Sequence, residues 1–270
     1  FGKGQLQCEA CHGPGGTHAT TKGKDRPPVI RFGGKSGTPV AVQNKQCLAC
    51  HDSSTQHLWA ASGHGSAELS CADCHSSHAA RDKVLQKGRQ AEVCFNCHKT
   101  QKANALKPYR HALREGEMAC SSCHVPHGST TKAALKGTTV NETCYSCHPD
   151  LRGPFVWEHA PVTENCALCH DAHGSIHPTM LKTRGPFQCQ QCHSKEQSEF
   201  ADSVHGRAGA GGDQRPAHCK DCHGAHDTGD PRTVGYRHDI PFMCGNCHAN
   251  EAIARKYGLS TDVVKTYLSD

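Results

Sequence analysis

The chain has 270 residues, yet hydrophobic residues make up only 35% of it and aromatics 5%, too few for the apolar core that such a length calls for. Its 30 lysines and arginines exceed the 25 acidic residues, giving a formal charge of +5, but no run of them forms a basic tail of the kind that binds nucleic acid. No stretch approaches the roughly 18 consecutive apolar residues of a membrane-crossing helix.

Cysteine supplies what the apolar residues do not. In chain order, ten copies of Cys-x-x-Cys-His occur: Cys8, Cys11 and His12; Cys47, Cys50 and His51; Cys71, Cys74 and His75; Cys94, Cys97 and His98; Cys120, Cys123 and His124; Cys144, Cys147 and His148; Cys166, Cys169 and His170; Cys189, Cys192 and His193; Cys219, Cys222 and His223; Cys244, Cys247 and His248. Together they use all 20 cysteines. A zinc knuckle has no reason to demand a histidine after every second pair position, a thioredoxin-like pair would be single, and a disulfide scaffold does not space its cysteines this way. The motif is the attachment signature of c-type haem: two thiols add to the vinyl groups of a porphyrin and the following histidine is the proximal iron ligand. Ten motifs imply ten covalent haems, about one per 27 residues.

That density predicts the fold class. A chain so loaded has little to do except wrap macrocycles, so the expectation is a multihaem cytochrome c of mostly loops and short α-helices around a haem chain, with almost no β structure and an elongated, wire-like shape. Its 27 glycines and 14 prolines supply the turns. The haems also revise the charge: a ferric bis-histidine haem carries about −1, so ten of them bring the holoprotein to roughly −5. The lysines and arginines then neutralise propionates, and no nucleic-acid partner is expected.

Along the chain, residues 1–63 form an N-terminal di-haem segment that reads as an incomplete repeat. His18 lies just after its first motif and is a candidate distal ligand, but no histidine precedes Cys8. From residue 64 a two-haem unit repeats. The motifs opening at Cys71, Cys120, Cys166 and Cys219 continue as CHxxH, which adds His78, His127, His173 and His226. Each of these motifs also has a histidine upstream, His64, His111, His159 and His205, and each is followed by a plain motif. Residues 64–195 hold the regular repeats; residues 196–270 hold a divergent C-terminal di-haem repeat and a helical tail, all within one continuous haem array.

Helix geometry restricts which histidine serves which haem. A residue three positions beyond the proximal histidine lies on the same helix face, whereas the sixth ligand must approach the opposite face of the porphyrin. His78, His127, His173 and His226 are therefore predicted to cap neighbouring haems rather than their own, tying haems into close pairs. With 23 histidines and ten proximal ones, 13 remain; eight belong to the units and His18 is a ninth, leaving His57, His177, His218 and His238 as candidates for the tenth distal position. Met118, Met180 and Met243 read as loop or packing residues, and Trp59 and Trp157 as packing against porphyrin edges. From Glu251 to Asp270 the apolar positions Ile253, Tyr257, Val263, Val264, Tyr267 and Leu268 predict an amphipathic helix.

The segments LQCEACHGPGGTH (6–18), CADCHSSHAARDKVL (71–85), NETCYSCHPDLRGP (141–154), WEHAPVTENCALCHDAHGS (157–175) and MLKTRGPFQCQQCH (180–193) resemble the MtrA-type periplasmic decahaem c-type cytochromes of outer-membrane porin-cytochrome conduits. Relatives of that type serve extracellular dimethyl sulfoxide respiration and phototrophic iron oxidation. The resemblance runs in order from about residue 6 to 195. It implies ten bis-histidine haems threaded through a β-barrel porin, with extracellular or periplasmic redox cytochromes as further partners. Two departures stand out: the family carries another motif ahead of the segment matching Cys8, and here a glycine-rich stretch (Gly206–Gly212) and a full CHxxH unit precede the closing motif. Both ends read as cut from a longer array.

The functional expectation is an electron carrier, not an enzyme, in the periplasm and embedded in a porin; covalent haem attachment takes place outside the cytoplasm, which implies a periplasmic or extracellular location. One alternative is a subunit of an extracellular cytochrome filament, a homopolymer in which one protomer caps a haem of the next. A less favoured one is a multihaem oxidoreductase with one open haem, for which no CxxCK motif speaks.

Overall fold

The computed structural model describes residues 7–34, 37–210 and 217–269. It consists of short helices, 3-10 turns and loops, with isolated β-bridges and no sheet among the described residues. Chain contacts divide it into two compact units, Phe1–Cys144 with Ala172–Ser175, and Tyr145–Asp171 with Ile176–Asp270. This division follows spatial contact, whereas the repeats follow motif spacing. Residues 172–175 join the first unit because Tyr109 and Ser175 exchange backbone hydrogen bonds of 3.1 and 2.8 Å and His111 Nδ1 donates to the Ala172 carbonyl.

The first unit contains α1 (Cys8–His12), α2 (Gly16–Thr20), α3 (Val40–Leu48), α4 (Gly63–Ser66), α5 (Gln90–Cys94) and α6 (Lys99–Asn104). Helix α7 (Val140–Tyr145) spans the division. The second unit contains α8 (Ala160–Glu164), α9 (Gly185–Gln190), α10 (Ser194–Asp202), α11 (Val204–Ala210), α12 (Cys219–His223), α13 (Val234–His248), α14 (Glu251–Tyr257) and α15 (Val263–Ser269). Gly206 of the glycine-rich stretch lies in α11; Gly211 and Gly212 lie outside the described residues. The amphipathic tail is two helices rather than one. Gly258 takes the left-handed conformation (φ 64°) that ends α14, and α15 then packs on α13, where Gly245 leaves room for Val264.

Each attachment motif is one helical turn. The histidine N–H donates to the carbonyl of the first cysteine at 2.9–3.0 Å in the motifs opening at Cys47, Cys71, Cys94, Cys120, Cys166 and Cys189. Positions three apart share a helix face, so both thiols of a motif point to one side.

Apolar packing between these turns is sparse. Among the described residues the buried hydrophobic side chains are Ala91, Ala105, Ala119 and Ala254, while the fully buried larger ones are Gln43 and Ser70. The accessible surface is 18753 Å², against about 11,000 Å² for a compact chain of this mass. Amides hold the turns in place instead. Asn44 on α3 accepts from the Cys71 N–H and donates to the Leu69 carbonyl, both at 2.9 Å. Gln90 on α5 likewise accepts from Ser121 N–H at 2.8 Å and donates to the Val84 carbonyl. In both cases the helix of a plain motif anchors the next CHxxH turn. Asn44→Ala leaves two backbone groups unpaired, and it is expected to cost about 1–3 kcal/mol in denaturant unfolding of the holoprotein; an unchanged midpoint would refute this anchoring role.

Candidate functional site

The anchored turns bring cysteines of neighbouring motifs together. Cys71 donates to Cys47, which holds Cys47 down at about 7 and pushes Cys71 up; Cys94 and Cys120 form the same arrangement, with Cys120 held at about 7. Cys189 faces Cys219, and burial pushes the Cys189 thiol up. Burial likewise raises Cys74, close to Cys94 and Cys97, Cys169, close to Cys192, and Cys222, close to Cys244 and Cys247. Within each unit, attachment points that are successive in sequence are therefore neighbours in space.

The histidines form cross-motif pairs. In the first unit the ring of His78 lies 5.9 Å from that of His12, His127 lies 6.0 Å from His75, and His173 lies 6.1 Å from His124. The upstream His64 lies 5.9 Å from His98. In the second unit His226 lies 6.2 Å from His170, His159 lies 6.1 Å from His193, and His205 lies 6.1 Å from His248. A single register describes all seven. The second histidine of a CHxxH motif meets the proximal histidine two motifs earlier, and the upstream histidine meets that of the following plain motif.

Two glycines make the reach possible. Gly128 (φ 121°) and Gly174 (φ 135°) directly follow His127 and His173. A Cβ on Gly128 would lie 2.8 Å from the Leu58 carbonyl oxygen, and one on Gly174 would collide with the Asn104 carbonyl. Each glycine thus lets the backbone behind the histidine press against an earlier part of the chain. Trp59 packs against the same region, 6.5 Å from His64 and 6.2 Å from His127.

Ring orientation is fixed through Nδ1. His12 donates to the Ile30 carbonyl (2.7 Å), His18 to Pro27 (2.7 Å), His64 to Pro126 (2.8 Å), His124 to Ala133 (2.8 Å) and His170 to Thr179 (2.8 Å). His75 instead donates to Asp82 Oδ2 at 2.7 Å, and His223 Nδ1 meets the Tyr236 hydroxyl at 3.4 Å. A carbonyl partner forces the proton onto Nδ1 and leaves Nε2 as the lone-pair nitrogen. Burial lowers the pKa of His127 and His226, which further favours the neutral ring. Two such rings on one iron, at about 2.0–2.1 Å per metal–nitrogen bond, have centroids about 6 Å apart, so the seven pairs fit a six-coordinate haem iron.

The acceptors were not visible in the sequence. Ala133 (φ 60°) and Thr179 (φ 54°) present their carbonyls from left-handed backbone, and the following Ala134 and Met180 carbonyls accept from Val125 and Asp171 N–H. Met180 is thus a loop residue with a backbone role. The dipeptide His-Gly at 127–128 and 173–174 was the available signal.

Other candidates stand apart from these pairs. Among the described residues no histidine ring is seen opposite His51, and the ring facing His223 is Tyr236, 6.3 Å away. His57 pairs with Asp52 at 3.0 Å, His238 meets Asp239 and Phe242, and His218 precedes α12 as its N-cap. His177 precedes the turn at Pro178–Met180 as its N-cap.

Residues 8–88 match the family described as cytochrome c-type protein NrfB-like, and residues 111–153 and 159–198 match the doubled CXXCH motif. Over 244 residues, 90% of this chain, it is 46% identical to the multiheme cytochrome MtrA of Shewanella baltica (strain OS185). The chain belongs to the MtrA-type multihaem c-type cytochromes. It spans 66% of the length of that MtrA. Within this MtrA-type chain the doubled-motif matches cover His111 to Gly153 and His159 to Ser198, so each match begins at an upstream histidine and takes in one CHxxH motif and one plain motif.

Proposed function

We infer that each cross-motif pair of imidazoles holds one haem iron, and that the protein relays electrons along ten covalently attached c-type haems. The observation that carries this reading is the shared register of the seven pairs, each at the spacing one iron requires. The haem supplies the one-electron ferric/ferrous couple. The proximal histidine and both cysteines of a motif hold one side; the distal histidine, turned by its Nδ1 partner, occupies the other. At these seven positions a haem iron would have both axial sites filled by histidine and no site for a substrate, which suits an outer-sphere carrier rather than an enzyme. His18 and His111 have the same Nδ1 orientation and are assigned the same distal role.

The relay runs between the periplasm and the cell exterior through an outer-membrane β-barrel porin, with redox cytochromes as donors and acceptors at its ends. Support comes from the likeness to MtrA and from the extracytoplasmic chemistry of haem attachment. Reconstituted with its barrel in liposomes loaded with a reduced viologen dye, the holoprotein is expected to pass electrons to an impermeant acceptor outside. Equal rates from liposomes holding the barrel alone would refute the conduit.

The ring angles add a spectroscopic expectation. His124–His173 and His170–His226 are nearly parallel (6° and 9°), whereas His64–His98 and His205–His248 are crossed (68° and 70°). Ferric haems with parallel axial planes give rhombic low-spin EPR signals, and crossed planes give signals with one large g value. Both classes are expected in the oxidised holoprotein, and a spectrum with one class alone would contradict the geometry.

A further inference from the structure

We propose that Asp82 is a positioning residue that sets the haem of the Cys71 motif at a lower reduction potential than those of the Cys120 and Cys166 motifs. The proposal rests on the reading of His75 as a haem ligand.

Three of the four CHxxH loops, those after His75, His124 and His170, solve one problem in two ways, while His223 meets the Tyr236 hydroxyl. After His124 and His170 the chain runs nine residues to Ala133 and Thr179, whose carbonyls accept the Nδ1 proton at 2.8 Å. The loop after His75 reaches its 3-10 turn at the same offset, but it places a carboxylate at the N-cap position where the other two have Thr131 and His177. Its 3-10 turn, Lys83–Leu85, begins with Asp82 as N-cap, the Asp82 carboxylate accepting from Val84 N–H at 3.3 Å and from His75 Nδ1 at 2.7 Å. The Asp82 side chain is 14% exposed and that of His75 34%. Among the proximal histidines whose Nδ1 partner is seen, His12, His124 and His170 face carbonyls and His223 a hydroxyl, whereas His75 donates to a carboxylate; the Nδ1 of His193 lies 3.8 Å from the exposed Glu196, beyond hydrogen-bond distance.

A carboxylate is a stronger acceptor than a peptide carbonyl. It draws the Nδ1 proton, makes His75 a more anionic ligand and brings a negative charge close to the iron in a poorly solvated place. Both effects favour the ferric state over the ferrous one. Reduction adds one electron, with no bond formed or broken. In a relay, this haem would be the last of the three to fill.

The test is potentiometric titration of the Asp82→Asn holoprotein, followed by visible spectra and EPR. The amide oxygen can still accept from His75, while the longer Val84 bond, which goes to the other carboxylate oxygen, is given up; the substitution removes the charge and keeps the contact with His75. One couple is expected to shift by about tenfold in its ferrous/ferric ratio, about 59 mV upward, with haem content unchanged and the EPR signal of one low-spin species displaced. Glu92→Gln, which removes a nearby exposed carboxylate, is expected to move nothing. The proposal is overturned if every couple stays in place while the haems remain low-spin, and equally if Asp82→Asn loses a haem or turns one high-spin, since Asp82 would then be structural. A separate variant, His75→Ala, keeps the two ideas distinct: if it leaves all haems low-spin, the ligand reading fails, not the role of Asp82.

Discussion

Produced without covalent haem attachment, this chain is expected to be unfolded: no cooperative thermal transition, rapid amide exchange throughout, and little helical circular dichroism. The reason lies in its own side chains. The described residues bury four alanines and almost no larger apolar group, while Leu85, Val156, Val204, Val234 and Tyr267 each stay more than half exposed. Roughly 25 cal/mol per Å² of buried apolar surface is the usual source of stability, and here the polypeptide offers little such burial by itself. Most helices are under eight residues, too short to persist alone in water. Porphyrin faces are the remaining apolar surface. A cooperative melt of the haem-free chain, seen by calorimetry, would show that the protein part folds independently.

The second large effect concerns a single distal histidine. His173→Ala is expected to leave every haem attached but to convert one from low-spin to high-spin, with one equivalent of carbon monoxide bound after reduction. The affected haem is the one held by Cys120, Cys123 and His124, because His173 faces His124 at 6.1 Å although it belongs to the motif opening at Cys166. Removing that haem through Cys120→Ala and Cys123→Ala in the His173→Ala background is expected to abolish the high-spin signal; removing the haem at Cys166 and Cys169 is expected to leave it. The opposite pattern would mean that the histidine serves its own motif. His173→Met is expected to keep the haem low-spin and raise its potential by on the order of 100 mV, a fraction of the about 0.8 V that axial ligation spans.

Much of the site could be read from residue order because its covalent chemistry is local. Two thiols and the adjoining histidine of each motif lie within five residues, and one helical turn is enough to arrange them. The CHxxH spacing was local as well, and the helix-face argument from it predicts that the second histidine does not cap its own haem. What the sequence could not supply was the direction of the reach. Nothing in the spacing distinguishes a histidine that turns toward the preceding haem from one that turns toward the next, and the answer depends on contacts such as that of Gly174 with Asn104, 70 residues apart in sequence. The tail shows the same limit: its apolar periodicity continues across Gly258, but left-handed backbone there breaks it into two helices.

The sequence by itself determined the cofactor class, the number of attachment motifs, the scarcity of an apolar core and hence a fold of loops and short helices. These follow from composition and from bonds made inside a single turn. Only the tertiary structure decided which upstream or CHxxH histidine ring lies opposite which motif histidine and what each Nδ1 bonds. The acceptors are mostly main-chain carbonyls, which every residue possesses, so their identity depends on where the folded backbone passes. Asp82 lies between the two cases. It is a visible carboxylate at the N-cap position where its counterparts have Thr131 and His177, but its contact with His75 had to be seen in three dimensions.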